Sequence, residues 1–234
     1  MVDRTLSLCI TTFNRDDLLL RSFDQVLDDE RVSEIVIVDD LSNDKFIRRL
    51  KTFDHPKLKI FFNQKNLGCY RNKHEAIKNA TNEYVIIFDS DNIISKKYID
   101  KIFENEWHAD TIYAPDYVHS FDYRHFSGLT FDRTTAKNYI GQTRFDCIIN
   151  TMNYFVHRQS YLDVWDGSIE PWTADTIYQN YNWLKSGRKI HVLKELEYIH
   201  KIEDYKTEEK SHYIIHNRKT GNLFNETMKR ISRL

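Results

Sequence analysis

The first 90 residues contain four short apolar runs, at 6–11, 34–38, 58–63 and 84–88, separated by polar loops and by stretches that are apolar at helical spacing. The runs Glu34-Ile35-Val36-Ile37-Val38 and Tyr84-Val85-Ile86-Ile87-Phe88 scarcely alternate with polar residues, as expected of strands covered on both faces. Between 15 and 27, Leu18, Leu19, Phe23, Val26 and Leu27 recur as on one side of a helix. The segment 45–53 and a longer one through residue 80 read as helices too. Strands joined by helical crossovers pair in parallel, so the expected fold is α/β, a mostly parallel central sheet with helices on both faces. Ligands of such sheets collect at the carboxyl ends of the strands. Three polar clusters, Thr11-Thr12-Phe13-Asn14, Asp39-Asp40 and Asp89-Ser90-Asp91, directly follow strands, and the topology gathers them on one edge.

Beyond residue 92 the pattern is less regular. Aromatics and histidines interleave from 113 to 139, and no strands are placed there. Residues 151–156 and 190–193 read as strands and 173–185 as a helix, with Ile177, Tyr181 and Leu184 in phase and Ser186-Gly187 as its stop. A last helix is expected from about 220.

A hydrophobic share of 41% fills one compact core over 1–234, and only 6 Gly and 3 Pro leave no segment that reads as a linker. The net charge of −1 gives no field that would draw nucleic acid or an anionic membrane. Three scattered cysteines, Cys9, Cys69 and Cys147, make neither a disulfide framework nor a zinc knuckle. No segment approaches the roughly 18 apolar residues of a membrane span, and the amino-terminal apolar run is too short for a signal peptide. A soluble, cytoplasmic protein is expected.

Asp89 and Asp91 carry the sharpest chemical signal. Positions i and i+2 of a strand point the same way, and two carboxylates so close repel unless a cation or hydrogen-bond donors neutralise them. A divalent ion, Mn²⁺ or Mg²⁺, suits oxygen ligands completed by phosphate and water. The alternative is a solvated turn that caps the next helix. Histidine spacing of the HExxH kind is absent, which argues against a zinc hydrolase.

Four segments in order, Ile10-Thr11-Thr12-Phe13-Asn14-Arg15, Ile35 to Asp44, Asn66-Leu67-Gly68 with Arg71-Asn72, and Asp89-Ser90-Asp91, resemble the inverting GT-A fold glycosyltransferases of the family 2 type. The resemblance is close over residues 5–95 and looser beyond. It implies a nucleotide-binding half at 1–95 and an acceptor-binding, catalytic half at 96–234. Thr11, Thr12, Asn14, Asp39, Arg71 and Asp89 would bind the nucleotide, a UDP-linked sugar donor. Asp91, Asp89 and His200 would hold the metal, with Lys201 and Lys206 near the diphosphate. Asp175, or alternatively Glu170, would deprotonate the hydroxyl of a glycan acceptor, although Ala174 stands where the family usually has Glu before this Asp. Trp172 would stack on the acceptor sugar. Two other functions compete. A nucleotidyltransferase would need a glycine-rich loop that Thr11 to Asn14 lacks, and a GT-like domain without turnover would bind nucleotide but transfer nothing.

Overall fold

The computed structural model describes residues 4–15, 18–119, 121–151, 153–168, 174–200 and 222–234. Strands β1 (Leu6–Thr12), β2 (Val32–Asp39), β3 (Leu58–Phe62) and β4 (Tyr84–Asp89) pair in parallel in the order β3-β2-β1-β4. Helices α1 (Leu19–Phe23), α2 (Asp44–Leu50) and α3 (Gly68–Asn79) make the crossovers. Every residue of β1 is buried, whereas the edge strand β3 alternates between half-buried and exposed, which fits a strand with one neighbour.

The chain then runs through β5 (Asn92–Ile93), α4 (Lys96–Phe103), β6 (Thr111–Val118), β7 (Phe121–Asp122), β8 (Thr130–Phe131), α5 (Phe145–Ile149), β9 (Phe155–His157), α6 (Arg158–Val164), α7 (Asp175–Lys185) and β10 (Lys189–His200), with a closing helix α8 at 222–231. The sheet continues as β4-β9-β6-β10-β5. Here β9 is antiparallel to both neighbours, β6 and β10 are parallel, and β10 meets β5 antiparallel. The mostly parallel α/β architecture is therefore as expected, with one reversed strand in the middle.

Three boundaries depart from the sequence reading. The strand expected at 151–156 is only Phe155–His157. The first helix is α1 followed by a tight 3₁₀ turn at Asp24–Val26, shorter than 15–27. The strand expected at 190–193 runs on to His200 through a bulge: Glu195 takes a φ of 61° and its N–H donates to Asp116 at 3.0 Å, and the register with β6 shifts between Leu193 and Glu197. A bulge sets an extra residue out of the alternation, so the polar Lys194-Glu195 pair hides the continuity of the strand.

Candidate active site at the carboxyl edge of the sheet

Parallel register brings the polar clusters together. Thr12 pairs with Asp39, and Thr11 pairs with Asp89, so the ends of β1, β2 and β4 share one edge. The Asn14 Oδ1 accepts from the Asn43 backbone N–H at 2.9 Å and side-chain amide at 2.8 Å, while the Asn14 N–H donates to Ser42 at 2.8 Å. Asn14 thereby staples the loop after β1 to the loop after β2. Its φ of 54° is one that asparagine tolerates better than most residues.

Asp39 and Asp40 differ in environment. Asp39 is fully buried and accepts from the Ser42 N–H at 3.0 Å and from its hydroxyl. Asp40 accepts from the backbone N–H groups of Leu67 at 2.7 Å and Gly68 at 2.9 Å, and from Asn63 at 2.9 Å. It thus caps the start of α3, which opens at Gly68 with a φ of 77°. Burial still holds the Asp40 carboxyl above its ordinary value, against those hydrogen bonds. The Thr12 Oγ1 is buried with no hydrogen-bond partner among the described residues, which leaves an unsatisfied hydroxyl at the end of β1. Phe13 stands beside it, 47% exposed.

Asp89 closes β4, where its N–H donates to Asn153 Oδ1 at 2.7 Å. Asp91 lies 3.6 Å from an Arg15 guanidinium nitrogen. Burial and the Asp89 charge push the Asp91 carboxyl up, and Arg15 and His200 only partly offset them. Antiparallel pairing of β5 with β10 sets His200 opposite Asn92, one residue from Asp91. The His200 Nδ1 contacts Asn92 Oδ1, which fixes the orientation of the imidazole ring. Among the described residues no three His, Cys, Asp or Glu side chains form a ready metal cage.

Asp175 opens α7 and is buried. Its partner is Lys73 of α3, whose Nζ is 2.8 Å from Asp175 Oδ2 and 3.2 Å from Asp89 Oδ1. Burial alone would lower the Lys73 pKa, but the charges of Asp175 and Asp89 outweigh it and hold the amine well above its ordinary value. Arg71 donates to the carbonyl of Gly167 at 3.2 Å, in the turn that leads toward 169–173. Glu170, Trp172, Lys201 and Lys206 lie outside the described residues.

Thr11, Thr12, Asp39, Asp89, Asp91, Asp175 and His200 are thus drawn to one end of the sheet from both halves of the chain. Sequence reasoning missed Lys73, Arg15, Phe13 and Asn153. Lys73 did leave a signal: it falls in phase with Ala76, Ile77 and Ala80 on the buried side of α3, where a lysine needs a partner.

A parallel α/β sheet with an acidic pair at the tip of its fourth strand has the GT-A architecture. The chain belongs to glycosyl transferase family 2, whose model matches residues 7–160, and is a glycosyltransferase domain of that family. Among solved structures it is similar to S. aureus TarS 1-349 in complex with UDP-GlcNAc, with a TM-score of 0.65 and 18% identity over 90% of this chain and 64% of that one. The same protein with UDP gives a TM-score of 0.64 at 17% identity, over 83% of this chain and 60% of that one. GalNAc-T7 with UDP, GalNAc and Mn²⁺ gives 0.60 at 14% identity, over 84% and 44%. The chain therefore spans less than two thirds of each of these structures. A search of curated proteins found no significant match. No helix among the described residues is long and apolar enough to cross a membrane.

Proposed function

We propose that the domain is a metal-dependent, inverting glycosyltransferase that moves a sugar from a UDP-linked donor to a hydroxyl of a glycan acceptor. The observation that carries this reading is the convergence of Asp89 and Asp175, 86 residues apart in the chain by their numbering, on the single ammonium of Lys73. A donor-side carboxylate and a candidate base thus meet at the same edge.

The base and ribose of the donor fit against Thr11, Thr12, Asn14 and Asp39. The orphan Thr12 hydroxyl and the exposed Phe13 ring offer a hydrogen bond and a flat apolar face. Arg71 supports this pocket through the Gly167 turn. Asp91, Asp89 and His200 fit Mn²⁺ or Mg²⁺ by donor chemistry, two carboxylates and an imidazole. Burial and the neighbouring Asp89 charge both disfavour the ionised Asp91 carboxyl, and a cation bound there would relieve both. A bound ion neutralises charge on the departing diphosphate. Asp175 takes the acceptor proton as the acceptor oxygen bonds to the anomeric carbon and the bond from that carbon to the diphosphate oxygen breaks. Attack opposite the leaving group inverts the anomeric centre. TarS with UDP-GlcNAc and GalNAc-T7 with UDP and Mn²⁺ support donor and ion by likeness of fold.

Calorimetry with UDP, with and without Mn²⁺, tests the donor and metal assignments. NMR of the first sugar released from an α-linked UDP-sugar tests the stereochemistry. Metal-dependent UDP binding and an initial β product are expected. Tight binding indifferent to Mn²⁺, or an initial α product, contradicts the proposal.

A further inference from the structure

Lys73 joins the two halves of the domain. Its side chain is 6% exposed, its partner Asp175 is 10% exposed, and the two are 2.8 Å apart. Asp89, the second partner, belongs to the donor side. The Asp89 side chain is 33% exposed, so the enclosed pair is Lys73 with Asp175, and Asp89 joins it from the more open side. An exposed ion pair contributes little and wanders. An enclosed one at hydrogen-bond distance fixes the carboxylate in one place, and removing one partner leaves the other charge buried and uncompensated. Helix α7 starts without a side-chain cap at Ala174, so its own amino end supplies no such lock.

We propose that Lys73 is a positioning residue for the transfer reaction: it ties the Asp175 carboxylate to Asp89 and thereby holds the base over the donor end of the sheet. The inference rests on Asp175 being the base. A base displaced by about 1 Å from its proton can lose on the order of 100-fold in rate, so the effect of Lys73 falls on kcat rather than on donor binding.

The test is a double-mutant cycle of wild type, Lys73→Met, Asp175→Asn and the pair, with Lys73→Arg added. UDP release in Mn²⁺ is followed with whichever of UDP-glucose, UDP-galactose, UDP-GlcNAc and UDP-GalNAc the wild type hydrolyses fastest, and UDP affinity is measured by calorimetry. Lys73→Met is expected to keep UDP affinity within about tenfold, lower kcat by about 100-fold, and add almost nothing in the Asp175→Asn background, as residues acting as a unit do. Lys73→Arg recovers part of the loss. The pair keeps one carboxylate fewer in the cluster, so the Asp175→Asn background and Lys73→Arg carry the test even where Lys73→Met alone folds poorly. Losses that multiply in the cycle, with Asp175→Asn strongly slowed but still measurable, overturn the role of Lys73 alone. Turnover retained in Asp175→Asn overturns the base assignment and this role with it.

Discussion

The Asp91 carboxylate is 16% exposed, faces Arg15 at 3.6 Å, and is raised above the ordinary carboxylate range by burial and by Asp89. Its ionised form is thus held at a cost in the free protein, and a pair with Arg15 so loose returns at most about 1 kcal/mol. Asp91→Asn is therefore expected to shift unfolding free energy by no more than about 1 kcal/mol. Affinity for UDP in Mn²⁺ is expected to fall to the level seen without metal. Urea unfolding and calorimetry on the same preparation check both halves, and unchanged Mn²⁺-dependent binding removes Asp91 from the metal site. Local chemistry made this residue legible: two carboxylates at i and i+2 after an apolar strand conflict within a four-residue window. Lys73 was harder to see: its phase on the buried side of α3 marks it as needing a partner, but that partner, Asp175, lies 102 positions away, and nothing near Lys73 says which residue it is. Arg71 occupies a motif position, yet its guanidinium reaches the Gly167 carbonyl, a contact that depends on where the second half of the chain returns.

At the scale of elements, Glu34 shows how the first four strands are fastened at the end opposite the candidate site. It accepts from Ser7 of β1, from Lys59 of β3, and from both the N–H and hydroxyl of Thr81 ahead of β4. Burial would raise its pKa, but the bonds from Lys59, Ser7 and Thr81 outweigh it and bring the carboxyl from 4.5 to about 2. Because the folded value is the lower one, the stabilisation is complete above the unfolded value of 4.5 and is lost as pH falls from there toward 2. Glu34→Gln is expected to cost about 2 kcal/mol at pH 7, with the gap from wild type closing between pH 4.5 and 2. Urea titrations at several pH values measure it, and a gap that stays constant with pH contradicts the argument. Strands β1, β2 and β4 were readable because strands covered on both faces carry nearly continuous apolar runs, here broken only near their starts by Ser7 in β1 and by Ser33-Glu34 in β2. Strand β6 was not, since Pro115 and Asp116 break its run, and Asp116 is spent on holding the β10 bulge. Strands of two residues, such as β7 and β8, are too short to show any period.

At the scale of the whole molecule, the proposed donor site draws on both halves of the chain, and its positive charge would be local. The chain carries a net charge of −1, so on the proposed reading a diphosphate would be held by an ion and a few side chains rather than by a long-range field. Among the described residues no cage of three or more acidic, histidine or cysteine side chains stands ready for a cation; on the proposed reading, substrate phosphates would complete the coordination, as is usual for Mg²⁺-type sites. Ion and nucleotide are then expected to bind as one unit. Mn²⁺ alone and UDP alone should each move the thermal midpoint little. Together, at about 100 times their joint dissociation constant, they stabilise the fold by about 2.7 kcal/mol, which for a domain of this length is a rise of roughly 5–10 °C. A thermal-shift series with each component singly, both, and both plus EDTA measures the coupling. If Mn²⁺ alone gave the full rise, the protein would possess a complete cation site of its own, and an ion carried in on the donor's phosphates would be ruled out; if UDP alone gave it, the acidic pair at the tip of β4 would have no part in holding the donor.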